Sequence, residues 1–350
     1  MIPDFPQFDH FFSYILNNVG SPERLNASMI AVLMVCAFGA IFGSFTGNAN
    51  PFLWGILDRV FGGLTKKTYR VGRSISSLYF RGALILSLYI LLTGFIVAGC
   101  GLLEEHFRLA GFMEPILLTC VLAGGATWSA LIRLHKALRA DQGKTISKGS
   151  YYDIAVSTRT NLNTTDNHGI IRGGIGFVAT SLDKGMIAPL FWYLIGGLPA
   201  AFIYGGIAAA RWGMSREGFA KGIGILPLKL EEILGFIPQL ITVLILSFAA
   251  LMTPSARLTR AMTGLFAKSG RAPYAEGGLP LTILAYGLNV SLGGAVEDTD
   301  GSVLKRAWVG SKTSTAKIEI HHLRVAIYLS IMAHVLVFFT LLMGLISWRI

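Results

Sequence analysis

Long apolar runs limit what this chain can fold into. A helix needs about 20 apolar residues to cross the roughly 30 Å hydrocarbon core of a bilayer. Four runs meet this length cleanly, at residues 27–45, 80–103, 112–132 and 325–347, and a fifth, at residues 233–252, does so with Pro238 near its start. The sequence therefore predicts an all-α fold, a polytopic integral membrane helical bundle.

Two further apolar segments are less regular, and either could be a re-entrant or broken helix. Residues 186–210 are interrupted by helix-disrupting residues, namely Pro189, Gly196, Gly197 and Pro199. Residues 279–296 are short for a span and open with Pro280. Irregular backbone at membrane depth is tolerated only where protein or a polar cavity covers its polar groups. We expect one segment to span and the other to be re-entrant, and the flanking charges leave both arrangements open.

The distribution of Lys and Arg orients the bundle. Residues 47–79 carry five basic residues against Asp58 alone, whereas the turn after the second run is acidic, with Glu104 and Glu105. The first loop is therefore expected in the cytoplasm. The same reasoning places a polar insertion, residues 140–184, on the cytoplasmic side of the inner membrane. No internal repeat is visible, so we expect a single membrane-embedded domain over residues 1–350.

The composition excludes a soluble nucleic-acid-binding domain. Hydrophobic residues make up 53% of the chain and charged residues 14%, against about 25% charged residues in a soluble domain. The net charge of +11 comes from Lys and Arg in short loops between apolar runs, where they act as topology signals and contact anionic headgroups. The expected partners are the lipid bilayer and other proteins of a membrane complex, with no nucleic acid.

Two adjacent carboxylates, Glu231 and Glu232, lie at a membrane entrance beside Lys229. Hard divalent cations prefer several oxygen ligands, so the pair is a candidate metal site. Successive helical residues point about 100° apart, so both carboxylates reach one ion only at a helix start or in a loop. The alternative is a helix N-terminus whose acidic residues complement the helix dipole.

Several motifs in order resemble one family over residues 133–334. GMIAPLFWYLIGGLPAAFIY is similar to the family pattern D-G-x-x-A-P-L-F-x-x-x-x-G-G-x-P-x-x-x-x-Y without its leading Asp. LKLEEILGFIPQL is similar to R-x-D-D-x-x-N-x-x-P-A-R, and NVSLGG to G-x-x-L-G-G. The matching backbone positions include Gly185, Ala188, Pro189, Gly196, Gly197, Pro199 and Pro238. The chain thus resembles CbiB or CobD, the membrane-bound adenosylcobinamide-phosphate synthases.

The resemblance implies an activity and a site. The family joins an aminopropanol phosphate to a carboxylate of cobyric acid, using ATP, so Mg²⁺ and ATP are the implied cofactors if this chain is active. Arg159 and Arg172 fall near arginines of the family's cytoplasmic loop. Together with Lys229, Glu231 and Glu232 they are the expected residual site for an anionic ligand.

The chain departs from the family pattern where the chemistry would be. Lys184 stands in place of an Asp, and Arg211 in place of the Asp of K-x-x-N-x-x-D. The family's H-x-x-P-N becomes Gly270, Pro273 and Tyr274. Losing one member of a cooperating catalytic set already costs orders of magnitude in rate. The sequence therefore favours a catalytically silent relative, acting as a membrane-complex subunit or ligand-binding modulator; the alternative is an active synthase.

Overall fold

A computed structural model describes residues 19–44, 46–70, 72–107, 110–140, 147–214, 222–298 and 302–348, without the side chains of residues 103–107, 110–112 and 298. The helices are α1 (Pro22–Phe42), α2 (Phe52–Thr68), α3 (Ile75–Phe107), α4 (Ala110–Val121), α5 (Gly125–Ala140), α6 (Lys148–Thr158), α7 (Asn167–Leu182), α8 (Ala188–Met214), α9 (Ile225–Met252), α10 (Leu258–Phe266), α11 (Gly278–Leu288) and α12 (Ile320–Ser347). A π-helical turn, Asp183–Ile187, joins α7 to α8. The short 3₁₀ turn Tyr274–Glu276 precedes α11.

Five helical stretches of the described chain are long and apolar enough to cross a bilayer. They are Pro22–Phe42, Ile75–Leu102, Asn167–Met214, Ile225–Met252 and Ile320–Ser347. Most start a few residues before the apolar runs read from the sequence, because the helices continue into the polar residues at their N-terminal ends. The polytopic helical membrane fold is thereby confirmed.

The run at residues 112–132 is not the single straight span that its hydropathy predicts. Its two helical parts, Met113–Val121 and Gly125–Ala140, are bent by 44°. Gly125 lies against the α1 backbone, since a Cβ there would overlap the carbonyl oxygen of Cys36. At the bend, the N–H of Ala123 donates to the carbonyl of Gly185, 2.7 Å away. The helix therefore breaks where its backbone docks on α1 and on the π turn.

The stretch Asn167–Met214 folds back on itself at Gly197. That residue has φ 67° and ψ −161°, a conformation open essentially only to glycine. Lys184 and Arg211 would be about 40 Å apart in a straight helix, yet each lies 3.1 Å from the same oxygen of Glu231. The ambiguous segment 186–210 is therefore a folded-back helix.

Arg24 covers the backbone groups that this reversal exposes. Pro199 has no N–H to give to the carbonyl of Ile195. The guanidinium Nη1 of Arg24 donates instead to the carbonyls of Ile195, at 2.8 Å, and Leu194, at 3.2 Å. The first turn of α1 thus binds the reversal, which meets the requirement that polar backbone within an apolar setting find a partner.

The second ambiguous segment forms α11, which is too short to cross a bilayer. It has 11 residues and so a length of about 17 Å. All of its residues except Leu279 are buried. Protein surrounds this helix, as expected for a segment that enters an apolar bundle without crossing the bilayer.

A small antiparallel sheet joins two distant parts of the chain. It has the order β1-β2-β3, formed by Thr160–Asn161, Ala295–Asp298 and Val303–Lys305. Thr160 pairs with Asp298, so the segment before α7 lies beside the segment after α11. Within the proposed insertion 140–184, residues 167–182 form α7, which continues into α8 through the π turn.

Candidate functional site

The carboxylate of Glu231 lies at the centre of a buried group of charges. Glu231 is 0% exposed and Lys184 1% exposed. Lys184 Nζ donates to Glu231 Oε2 at 3.1 Å, and Arg211 Nε lies 3.1 Å from the same oxygen. A carboxylate shared by two cations in an apolar bundle keeps ionised groups compensated where water cannot solvate them.

Four separate elements supply this cluster. Glu231 lies in the second turn of α9, Lys184 in the π turn and Arg211 near the end of the folded-back α8. Tyr274 comes from the short turn before α11, and its hydroxyl donates to the carbonyl of Glu231 at 2.9 Å. The Lys184 ammonium lies 4.3 Å from the centre of the Tyr274 ring, an attractive cation–π arrangement. π-helical turns are frequent at functional sites.

A second carboxylate balances the charge. Asp183 is 3% exposed and accepts a hydrogen bond from Thr242 Oγ1 at 2.9 Å. Asp183 and Glu231 together offset Lys184 and Arg211, so these four side chains are formally neutral as a group. Neutrality matters because an uncompensated buried charge costs several kcal/mol (about 3–5 when one partner is removed).

Glu231 Oε1 has no hydrogen-bond partner within the described chain, and neither has the hydroxyl of Tyr204, which is 1% exposed. Burial, with the Glu231 carboxylate as the second cause, raises the pKa of Tyr274 above its ordinary value. The Tyr274 hydroxyl therefore stays protonated and remains a donor to Glu231.

The structure separates the two carboxylates that the sequence put side by side. Glu231 points into the bundle, whereas Glu232 pairs with Lys229 at 2.7 Å, with side chains that are 40% and 64% exposed. Adjacent helical residues diverge by about 100°, and α9 has already begun at Ile225. The pair does not converge on one ion. Among the residues that the structure describes, no group of three or more His, Cys, Asp or Glu could hold a metal ion.

The two predicted arginines have other partners. Arg159 Nη2 pairs with Asp58 Oδ1 at 2.7 Å, and its guanidinium lies 3.8 Å from the Trp212 ring centre. Arg172 lies 4.9 Å from the Trp308 ring centre. Of the five predicted ligand-binding residues, only Glu231 belongs to the buried cluster. A shared anion site of all five stays a prediction.

A comparison with known protein families identifies the family of this chain. The family described as "CobD/Cbib protein" matches residues 32–330. The chain belongs to this family. The resemblance read from its Gly and Pro motifs is thereby confirmed, and the protein is a multi-pass membrane protein of the CobD/CbiB type. No solved structure matches the chain.

Three curated relatives are about a quarter identical to the chain over the residues that align. A cobalamin biosynthesis protein CobD from Brucella anthropi is 26% identical over 204 residues, which cover 56% of this chain and 61% of that protein. A CobD from Halalkalibacterium halodurans is 25% identical over 218 residues, covering 61% and 66%. A probable cobalamin biosynthesis protein CobD from Methanococcus aeolicus is 23% identical over 270 residues, covering 76% and 85%. The chain thus spans about six-tenths of the Brucella protein.

The Gly and Pro positions of the CobD/CbiB pattern shape the backbone around the cluster. Gly185 sits in the π turn, where a Cβ would lie 2.9 Å from that of Ala123. Pro238 has no N–H to donate to the carbonyl of Leu234. Trp192 Nε1 donates to that carbonyl instead, at 3.1 Å. Other pattern positions are buried at the start of α8 or lie at its reversal, namely Ala188, Pro189, Gly196, Gly197 and Pro199.

In the sequence, most residues of the charge cluster stand out only because they depart from the CobD/CbiB pattern. Lys184, Arg211 and Tyr274 each replace a different family residue, and all three contact Glu231. Asp183 was missed altogether. One signal was available: Asp183-Lys184 and Arg211 directly flank the apolar segment 186–210, and a Gly-Gly-x-Pro break between them allows the two ends to meet.

Proposed function

We propose that this protein is a catalytically silent member of the CobD/CbiB family, working in the inner (cytoplasmic) membrane as a complex subunit or ligand-binding modulator. The proposal rests on one observation: Lys184 and Arg211 both form ion pairs with the Glu231 carboxylate. Both cations stand where the family resemblance places aspartates. Where the resemblance expects two carboxylates that could bind a metal, this chain therefore has two cations, and both act as counter-ions to Glu231.

The donor set of the cluster does not suit Mg²⁺. That cation takes oxygen ligands in near-octahedral geometry and is bound by carboxylates, water and substrate phosphates. At Oε2 of Glu231 an ion would have to displace an ammonium and a guanidinium, each 3.1 Å away. Both displaced cations would then be buried without their counter-charge, at a cost of several kcal/mol. We therefore derive no metal-dependent or ATP-dependent step for this chain.

The second candidate is an active synthase, and the relatives favour it. The relatives described above carry the name cobalamin biosynthesis protein CobD, in one case as a probable one. In that case the chain would ligate aminopropanol phosphate to cobyric acid with Mg²⁺ and ATP. Glu232 would be the available carboxylate of the adjacent pair Glu231 and Glu232, since its partner Lys229 is 64% exposed.

A ligation assay separates the two candidates. Purified protein in nanodiscs is given cobyric acid, aminopropanol phosphate and Mg-ATP, and the product is followed by mass spectrometry. We expect no amide, whereas the Brucella anthropi CobD, prepared in parallel, is the positive control. Amide formation that is lost in both E231Q and E232Q would establish the enzyme and end the proposal.

Replacing Lys184 and Arg211 with acidic residues tests whether these two cations are what prevents metal binding at Glu231. In K184D/R211D, carboxylates replace the two cations around Glu231, and like charges in one apolar site favour a divalent cation. We expect Mg²⁺ at about 5–10 mM to raise the thermal midpoint of K184D/R211D through binding linkage. Wild type and the uncharged control D183N/K184M/R211M/E231M should not respond. An equal Mg²⁺ response in wild type would show that the cations do not block the site.

A further inference from the structure

A cavity lies between the end of α1 and the break between α4 and α5. Its volume is about 210 Å³. It is lined from α1 by Met34 and Phe38, from the loop before α2 by Asn48, and from the two sides of the break by Cys120 and Ala126. None of these residues takes part in the charge cluster around Glu231, so the cavity is a separate feature of the fold.

Several polar groups at this cavity already have hydrogen-bond partners within the protein. Asn48 Oδ1 accepts the N–H of Asn50 at 3.0 Å, and Asn50 Nδ2 donates to the carbonyl of Ser157 at 3.1 Å. The hydroxyl of Thr119 donates to the carbonyl of Ile116 at 2.6 Å. A buried water needs two to four polar partners. The lining therefore suits an apolar occupant better than water.

The cavity opens on an apolar outer surface. Phe38 and Phe52 both line it and are 48% and 41% exposed. Phe42, whose ring stacks on that of Phe38, is also exposed, as are Ile41 on α1 and Ile116 on α4. Since α1 is one of the helices long and apolar enough to cross a bilayer, the part of this surface that α1 contributes faces lipid. Alkyl chains are then the apolar groups present at the opening at the highest concentration.

We propose that this cavity binds the end of a single lipid acyl chain. A methylene group is about as large as a water molecule, whose share of liquid volume is about 30 Å³. The cavity thus accommodates an alkyl segment of about seven carbons. Filling it supplies the contacts that an empty apolar cavity lacks. It also supports the break, where Ala123 donates to Gly185 of the π turn.

Photo-crosslinking tests the site directly. The protein is purified in a steroid-based detergent, which has no alkyl chain to compete, and a phosphatidylcholine with a diazirine at the end of one acyl chain is added in increasing amounts. We expect adducts on peptides that contain Met34 or Cys120, saturating at one lipid per chain. A yield that rises linearly, with adducts spread over the exposed faces of α3 and α9, would overturn the proposal.

A filled-cavity variant sharpens the test. A126L places a larger side chain in the cavity and should lower the saturating adduct yield by about fivefold or more, because the lining has no further room. The matched control is A98L, since Ala98 is exposed on α3 and does not line the cavity. If A126L lowers the thermal midpoint, T119F fills the same space from α4. An unchanged yield in a folded A126L or T119F would contradict an acyl-chain site.

Discussion

Replacing Glu231 with glutamine should lower the free energy of unfolding by about 3–5 kcal/mol. The change removes the one negative charge that Lys184 and Arg211 share, at 3.1 Å from each. Both cations would remain in a site where Glu231 is 0% exposed, and an ionised group without a partner is costly in such surroundings. Equilibrium unfolding in mixed micelles measures the loss.

The neighbouring residue is the matched control for this prediction. E232Q removes a carboxylate of the same type, one position along the same helix, whose partner Lys229 is 64% exposed. Exposed ion pairs contribute at most about 1 kcal/mol. In contrast, the quadruple variant D183N/K184M/R211M/E231M removes all four charges of the cluster and should recover most of the loss, since well-packed apolar replacements of buried pairs are often neutral. A cost for E231Q no larger than that for E232Q would contradict the buried network.

Replacing Gly197 with alanine should lower stability by about 1–3 kcal/mol. At φ 67° and ψ −161° a Cβ is strained whatever space surrounds it, so the reversal in α8 would have to open. The control is G94A on α3, because no heavy atom lies within 4 Å of a Cβ there. As alanine is the better helix former by about 1 kcal/mol, G94A should be neutral or stabilising.

The reversal and the charge cluster should also be coupled. The fold-back at Gly197 is what brings Arg211 to the carboxylate that Lys184 already contacts. In a double-mutant cycle, the combined loss for G197A and E231Q should therefore be smaller than the sum of the single losses. Strict additivity would mean that the pairing survives when the reversal is disturbed.

The features that could be predicted from the sequence are those set by local composition. Runs of about 20 apolar residues gave the helical membrane fold, and the Gly and Pro positions of residues 186–210 marked a broken helix, because neither property depends on distant contacts. The same reasoning did not reveal the bend at residues 122–124. That bend depends on the close approach of Gly125 to the α1 backbone, and hydropathy carries no information about such an approach.

The sequence alone determined that this protein is embedded in a membrane and which family it belongs to. Both follow from the order of apolar, Gly and Pro residues along the chain. Only the tertiary structure decided which charges meet. Glu231 and Glu232 are adjacent and chemically equivalent, and the orientation of α9 buries one and exposes the other. Lys184 and Arg211 lie 47 and 20 positions from Glu231, and the reversal at Gly197 places both against it. In an apolar bundle, a buried charge is stable only beside its counter-charge, so the pairing depends on the packing of the helices.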